Sequence, residues 1–344
     1  MIRQQMEYGA IFAKVMAMYG KMLKDDDWRR LCECRSIAEI CKFLSSHRGW
    51  SSTMSELPVN PTVKVLETAV RRRVYEESER LSKYLVIEDK KYLRLFLCRF
   101  EYDFILDALK PKDTGSAEQL PKSIELTDFM RKNSSVNLGE LERSRSFSEV
   151  QNAVRDSIYY RPLSELKPDA ETGMPSYREA GVVLENAYFK SVFAYLSGKY
   201  KGGGRKKLEE TIGLEADLLN TVSIIRLQRS FNTSLERADE LLIPISYHLK
   251  PEFLHSLSEA KSEGEALDML RRSPFGKHLE GADTNNIESL FYKSMEKFCR
   301  RLIKTGGAEL GVPQAYLILK ELECKKLCRV IEAVASGIDP RNVI

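Results

Sequence analysis

Three acidic residues stand where acids are costly. Glu101, Asp217 and Glu323 each interrupt a mostly apolar stretch with helical spacing, over 90–110, 215–231 and 313–334. A carboxylate in such a setting must reach water, pair with a cation or accept hydrogen bonds. Two uses fit that requirement. The acids are tied structural groups or lie on solvent-facing stripes, or else all three look inward at a central opening and meet a binding partner there. They are the partner-binding candidates of this chain.

Other clusters carry weaker chemistry. Asp25, Asp26 and Asp27 invite comparison with the aspartate-rich Mg²⁺–diphosphate site of helical isoprenoid synthases. That chemistry needs a further acid one turn on, where this chain has Arg29 and Arg30. An acidic helix end or loop is the better reading. Cys32, Cys34, Cys41 and His47 do not make a zinc set, because a lone C-x-C lacks its second ligand pair. Lys201, three glycines and then Arg205, Lys206 and Lys207 lack the spacing of a phosphate loop and the strand before it. They read as a solvated connection between helices. Arg71, Arg72 and Arg73 read as the wet face of a long helix, with contact to a partner as the alternative. His47, His248, His255 and His278 show no triad or metal spacing. We therefore assign no catalytic, cofactor-binding or metal-binding residue, and expect no cofactor.

A repeat organises the rest. The pattern Leu-x-x-small-basic-Ser-x-x-Glu occurs at Leu31–Glu39, Leu141–Glu149 and Leu257–Glu265. Its final glutamates are 110 and then 116 residues apart, and the three apolar-helix acids follow them by 62, 68 and 58 residues. Two markers in one order at similar spacing point to one architectural unit built three times. The Ser-x-x-Glu core has the form of a helix start.

Long helices must position these markers. Tyr8, Ile11, Phe12, Val15, Tyr19, Met22 and Leu23 form one apolar stripe at steps of three and four. Asn60 and Pro61 predict a helix start, followed by a face of Val63, Leu66, Val70, Val74, Leu81 and Leu85. Such a helix would be about 35–40 Å long. Tyr177–Tyr195, with a stop at Gly198, and Ile287–Leu302, ending at Gly306 and Gly307, repeat the theme. No run alternates as a strand does. The expectation is an all-α chain of three similar helical bundles, over 1–115, 116–236 and 237–344. The boundaries fall near 112–118 and 233–240, with Pro111–Pro121 as the clearest linker.

Composition narrows the function classes. Of 344 residues, 43% are hydrophobic, enough for a sizeable core. A net charge of +4 is small for this length and argues against nucleic acid as the partner. The opening lacks the apolar segment of a signal peptide, and no apolar run reaches the 18–20 or so residues of a membrane span. Seven cysteines without regular spacing suggest reduced thiols in a cytosolic setting.

The stretch 313–332, carrying Tyr316, Leu317, Lys320, Glu321 and Glu323, resembles the end of the C subunit of the archaeal and bacterial A/V-type ATPases. It is also similar to the d subunit of the eukaryotic V-type ATPase. The opening helix from Tyr8 to Lys14, the set Asp217, Asn220 and Arg226, and Leu241–Ile245 agree with the same family. The resemblance spans nearly the whole chain. At the Asn220 position the first and third units have Phe104 and Lys326, and at the Arg226 position Lys110 and Glu332. The polar contacts of Asn220 and Arg226 are therefore expected in the middle unit only. The resemblance implies a funnel of three bundles in pseudo-threefold arrangement. It implies a non-catalytic rotor part on the cytoplasmic face of the membrane, held there peripherally through its complex. The implied partners are the D–F shaft and the membrane proteolipid ring, with the A and B subunits reached indirectly and H⁺ or Na⁺ as the coupled ion. Two alternatives remain open at this point: an unrelated helical-repeat binding scaffold, and a helical Mg²⁺-dependent diphosphate enzyme.

Overall fold

The computed structural model describes residues 2–110, 128–230, 242–273, 276, 287–307 and 309–342. Every regular element among them is helical, so the all-α expectation holds. The chain divides into two compact units, 1–90 with 114–132 and 299–344, and 91–113 with 133–298. The bundle boundaries expected near 112–118 and 233–240, and the linker from Pro111 to Pro121, lie largely outside the described residues.

The first unit holds α1 (Ile2–Tyr19), α2 (Asp25–Glu33), α3 (Ile37–Ser46), α4 (Ser51–Met54) and α5 (Val63–Ser82). It also holds the start of α6 (Ile87–Leu109). The end of the chain returns to this unit. α16 (Gly311–Ala335) packs along α5 and also meets α1 and α3. Ile11, Val15, Leu66, Val70 and Leu81 are core residues of this unit, and the residues of α16 from Gly311 to Glu321 are all buried. The apolar first half of α16 lies inside the core rather than on one side of it, and Lys320, Glu321 and Glu323 are buried with it.

The second unit holds the rest of α6, then α8 (Leu138–Arg143), α9 (Phe147–Ala153), α10 (Tyr160–Ser164), α11 (Tyr177–Lys199) and α12 (Gly202–Ser230). After these come α13 (Pro251–Ser258), α14 (Glu263–Arg272) and the first part of α15 (Ile287–Thr305). The short α7 (Asp128–Asn133) leads into α8. α11 and α12 pack together, and α12 also meets α13 and α14. Leu184, Tyr188, Val192, Leu208, Ile212 and Ile224 are core residues here.

Three local expectations change. The helix expected from Asn60 starts at Val63, because Thr62 supplies the cap by accepting the Val65 N–H at 3.3 Å. It stops at Ser82, so its 20 residues span about 30 Å rather than 35–40 Å. The glycine stretch is not a loose connection. Gly202 has φ of +68°, which turns the chain after Tyr200 and Lys201, and Gly202–Gly204 already form the first turn of α12. Arg71 is exposed as expected, but Arg72 and Arg73 are buried, at 8% and 4% exposure. Acids from their own helix and from residue 56 draw them in.

Candidate functional site

The repeated nonapeptide is a helix-to-helix corner. Leu31, Leu141 and Leu257 are buried near the ends of α2, α8 and α13. Two or three residues later the chain leaves the helix. The serine then caps the next one, with Ser36, Ser146 and Ser262 accepting the backbone N–H of Glu39, Glu149 and Glu265 at 3.2, 3.3 and 3.2 Å. The glutamate reaches back, accepting the N–H of Arg35, Arg145 and Lys261 at 2.8, 2.6 and 2.7 Å. Serine and glutamate thus each satisfy a donor that a helix start leaves open. The basic residue contributes its backbone, and the small residue before it lets the chain turn. All three copies are structural, as the helix-start reading expects.

The three acids are buried, with 1%, 0% and 5% exposure for Glu101, Asp217 and Glu323. Each accepts hydrogen bonds from a backbone segment that precedes a corner. Glu101 on α6 takes the Ser135 N–H at 2.9 Å and the Ser135 hydroxyl at 2.7 Å, just before α8. Asp217 on α12 takes the N–H of Tyr247 at 3.3 Å and of His248 at 2.6 Å, just before α13. Glu323 on α16 takes the Leu23 N–H at 3.1 Å, just before α2. Glu323 also accepts from the Trp50 indole at 3.0 Å and the Lys320 ammonium at 2.7 Å. The bound residue (Ser135, His248 or Leu23) lies 11, 14 and 13 residues ahead of the capping serine in the three cases. One acid therefore fixes the approach to each corner. Of the two uses expected for these acids, the hydrogen-bonded one describes their surroundings.

Their electrostatics differ. Burial pushes the Glu101 carboxyl above the ordinary range, opposed by the hydrogen bonds from Ser135. Burial also raises Asp217, opposed first by the N–H groups of His248 and Tyr247 and then by the His248 ring. That ring places Nδ1 3.5 Å from the carboxylate. Glu323 has a buried cation beside it in Lys320. The Lys320 ammonium also lies 4.5 Å from the Trp50 ring centroid.

The family model described as "ATP synthase (C/AC39) subunit" matches residues 11–343. The chain belongs to this family. Its relatives are distant. The C subunit of the A-type ATP synthase of Thermococcus onnurineus is 21% identical over 96% of this chain and 87% of its own length. Its counterpart in Methanosphaera stadtmanae is 20% identical over 92% of this chain and 80% of its own. That of Methanosarcina acetivorans is 26% identical over 78% of this chain and 71% of its own. An origin unrelated to the ATPases is thereby set aside.

In this member of the ATP synthase family Asn220 has a clear structural part. Its side chain donates to the Ile243 carbonyl at 2.9 Å and accepts the Ile243 N–H at 2.7 Å. It grips the backbone at Ile243 as a strand partner would, beside the Asp217 joint. Phe104 at the first equivalent position has no amide to do this, and Lys326 at the third lies 4.4 Å from the Trp28 ring. The Arg226 side chain lies outside the described residues.

Two buried ionic groups escaped the sequence reading of this family member. Arg99 on α6 and Glu215 on α12 form a two-bond pair, one of 3.0 Å, with the guanidinium among the Phe96, Phe100 and Tyr188 rings. Arg73 bonds Glu76 at 2.9 Å and Glu77 at 2.8 Å, while Arg72 bonds Glu56 and, at 2.9 Å, Glu76. Tyr316 of α16 donates to Glu77 at 3.1 Å. The signal was present for Arg99 and Glu215, since each is a charge on the apolar face of its helix. For Arg72 and Arg73 the basic triplet concealed it.

The weaker clusters are also placed. Asp25–Asp27 form the first turn of α2, where acids suit the helix dipole. Asp27 accepts the Lys24 N–H at 2.9 Å and Asp26 pairs with Arg29, so the acidic-helix-end reading stands. Cys32 is buried and Cys34 and Cys41 are half-buried, and burial raises all three thiols. His47 lies 3.6 Å from Asp27 and His255 3.4 Å from Glu259, while His278 lies outside the described residues. Among the described residues no group of three or more His, Cys, Asp or Glu side chains is placed to hold a metal ion. None of their helices is long and apolar enough to cross a membrane.

Proposed function

We propose that this chain is the non-catalytic coupling component of the central rotor in an A/V-type rotary ATPase. On this reading it is a socket between the D–F shaft and the proteolipid ring, carried on the cytoplasmic face of the membrane. ATP chemistry belongs to the A and B subunits, and the ring sets whether H⁺ or Na⁺ moves. The domain proposal is three bundles in pseudo-threefold, funnel-like arrangement, each marked by one acid joint and one capped corner.

The observation that carries this reading is the use of the buried charges. Glu101, Asp217, Glu323, Arg99 and, through its bond to the Thr53 hydroxyl, Arg73 are all engaged in tying helices and segments of this chain to one another. That is what a part built to hold its shape under load requires, and the family match is consistent with such a part. Glu101, Asp217 and Glu323 then serve the partners indirectly. They fix the approach to each corner, and the mating surfaces are formed by what the corners carry. We further propose that the shaft contact rests on shape, with rim charges setting orientation, over the 2,000 Å² or so typical of stable assemblies. Binding of the purified chain to the D–F pair and to the detergent-solubilised ring tests this. Binding to neither would sink it. The rotor reading is preferred to a magnesium-dependent diphosphate enzyme, since Asp26 pairs with Arg29 and Asp27 lies beside the Lys24 N–H and the His47 ring.

A further inference from the structure

The joints follow an order that the sequence repeats do not. Glu101 comes after the first corner in the chain and holds the approach to the second. Asp217 comes after the second and holds the approach to the third. Glu323 comes after the third and has no fourth corner ahead of it. It holds Leu23 instead, 300 residues back, at the approach to the first. We propose that the packing modules are offset from the sequence repeats by one helix, so that α16 is the closing helix of the N-terminal module. Each module then runs from an acid-bearing helix through joint, short helix and capped helix to a long helix. Its boundaries fall at the turns before α6, α12 and α16 rather than at 112–118 and 233–240. The chain's two ends together make one module.

The closing joint is built more heavily than the other two. Glu323 gathers donors from three places: Leu23, Trp50 and Lys320. Lys320 and Lys326 of α16 lie over Trp50 and Trp28, and Tyr316 adds its hydroxyl to the Glu77 cluster. A further tie reaches the N-terminal helices from the end of α15, which lies in the same compact unit, where Arg300 donates to the Tyr19 hydroxyl at 3.1 Å. Removing α16 would uncover the sides of α5, α1 and α3 that it packs against and strand the Leu23 and Trp50 N–H groups. Such a module is complete or open, with little between. The proposal goes beyond the rotor reading and does not depend on it.

Native-state amide exchange of the full chain in sub-denaturing urea tests it. The expected result is that Leu23 and the amides of α16 open together, as one cooperative group, separately from Ser135 with α6 and His248 with α12. Opening of Leu23 apart from α16, or in step with α6, would overturn it. Two variants give an independent check. E323A raises exchange at Leu23 by about 10- to 100-fold and leaves Ser135 unchanged, while E101A does the reverse. Equal loosening at both sites in either variant contradicts separate modules. If E323A does not stay folded, the wild-type grouping alone decides.

Discussion

Replacing Glu323 by glutamine changes one atom, and no rotation of the new amide suits its surroundings. Oε1 takes the Trp50 indole and the Lys320 ammonium, and Oε2 takes the Leu23 N–H. All three groups are donors. Glutamine offers one oxygen and one NH₂, so at least one buried donor faces another donor in either orientation. Lys320, 2% exposed, also loses its countercharge. Breaking a buried pair by removing one partner costs about 3–5 kcal/mol. At Glu101 the same change is mild, because the Ser135 hydroxyl can turn and accept from the new NH₂. The loss there is about 1 kcal/mol or less. Asp217→Asn falls between, since its partners are two N–H groups and one is orphaned, costing about 1–3 kcal/mol. Urea unfolding at neutral pH measures the series. Trp28 and Trp50 are the chain's 2 tryptophans, so fluorescence follows the first unit, and circular dichroism follows the whole. The E323Q fluorescence midpoint should fall by roughly 1–2 M urea. An E323Q variant no less stable than E101Q would refute the joint as described.

Three further outcomes follow from the same geometry. Gly213→Ala places a Cβ 2.4 Å from Tyr247 Cγ, displacing the segment held by Asp217. It should cost about 1–3 kcal/mol by urea unfolding, and Y247G in the same chain, which also removes the Tyr247 Cβ 2.6 Å away, should relieve the clash where Y247A would not. Glu215→Ala breaks the buried pair with Arg99 and should cost about 3–5 kcal/mol, whereas the double change R99M/E215L should come close to wild type in thermal unfolding. The Glu101 carboxyl is raised in the folded chain, so the folded state holds that proton more tightly than the unfolded one. Its contribution is therefore most favourable below the ordinary carboxylate pKa. It declines as pH rises from there to the raised value. A plot of unfolding midpoint against pH should lose that decline in E101Q, and an unchanged slope would count against the burial of an ionisable group there.

Much of this was legible in the residues. Helical spacing gave the all-α class and placed α11 and α15 to within a few residues. The tripled Ser-x-x-Glu gave the capped corners, because a helix start is a local problem that four residues solve. The acids were visible as charges out of place, and their common spacing from the corners marked them as equivalent. What was not legible is which backbone each acid holds. Donors such as the Leu23 N–H leave no trace in residue type, since every residue but proline has one. Arg72 and Arg73 misled for the opposite reason. A run of three arginines has the composition of a wet surface, and only Glu56, Glu76 and Glu77, brought together by the fold, make it an interior. Gly202–Gly204 misled because glycine marks both loose connections and tight turns. A single positive φ decided between them.

The bond from Glu323 to Leu23 also bears on how the chain is made. Its acceptor leaves the ribosome long after its donor. At about 5–20 residues per second, the first helices wait on the order of tens of seconds for their closing partner. Meanwhile α6 can find Ser135 and α12 can find His248 with far less chain between them. The N-terminal helices are thus the first synthesised and the last completed. For that interval they present the sides of α1, α3 and α5 that α16 later packs against to chaperones and to neighbouring nascent chains.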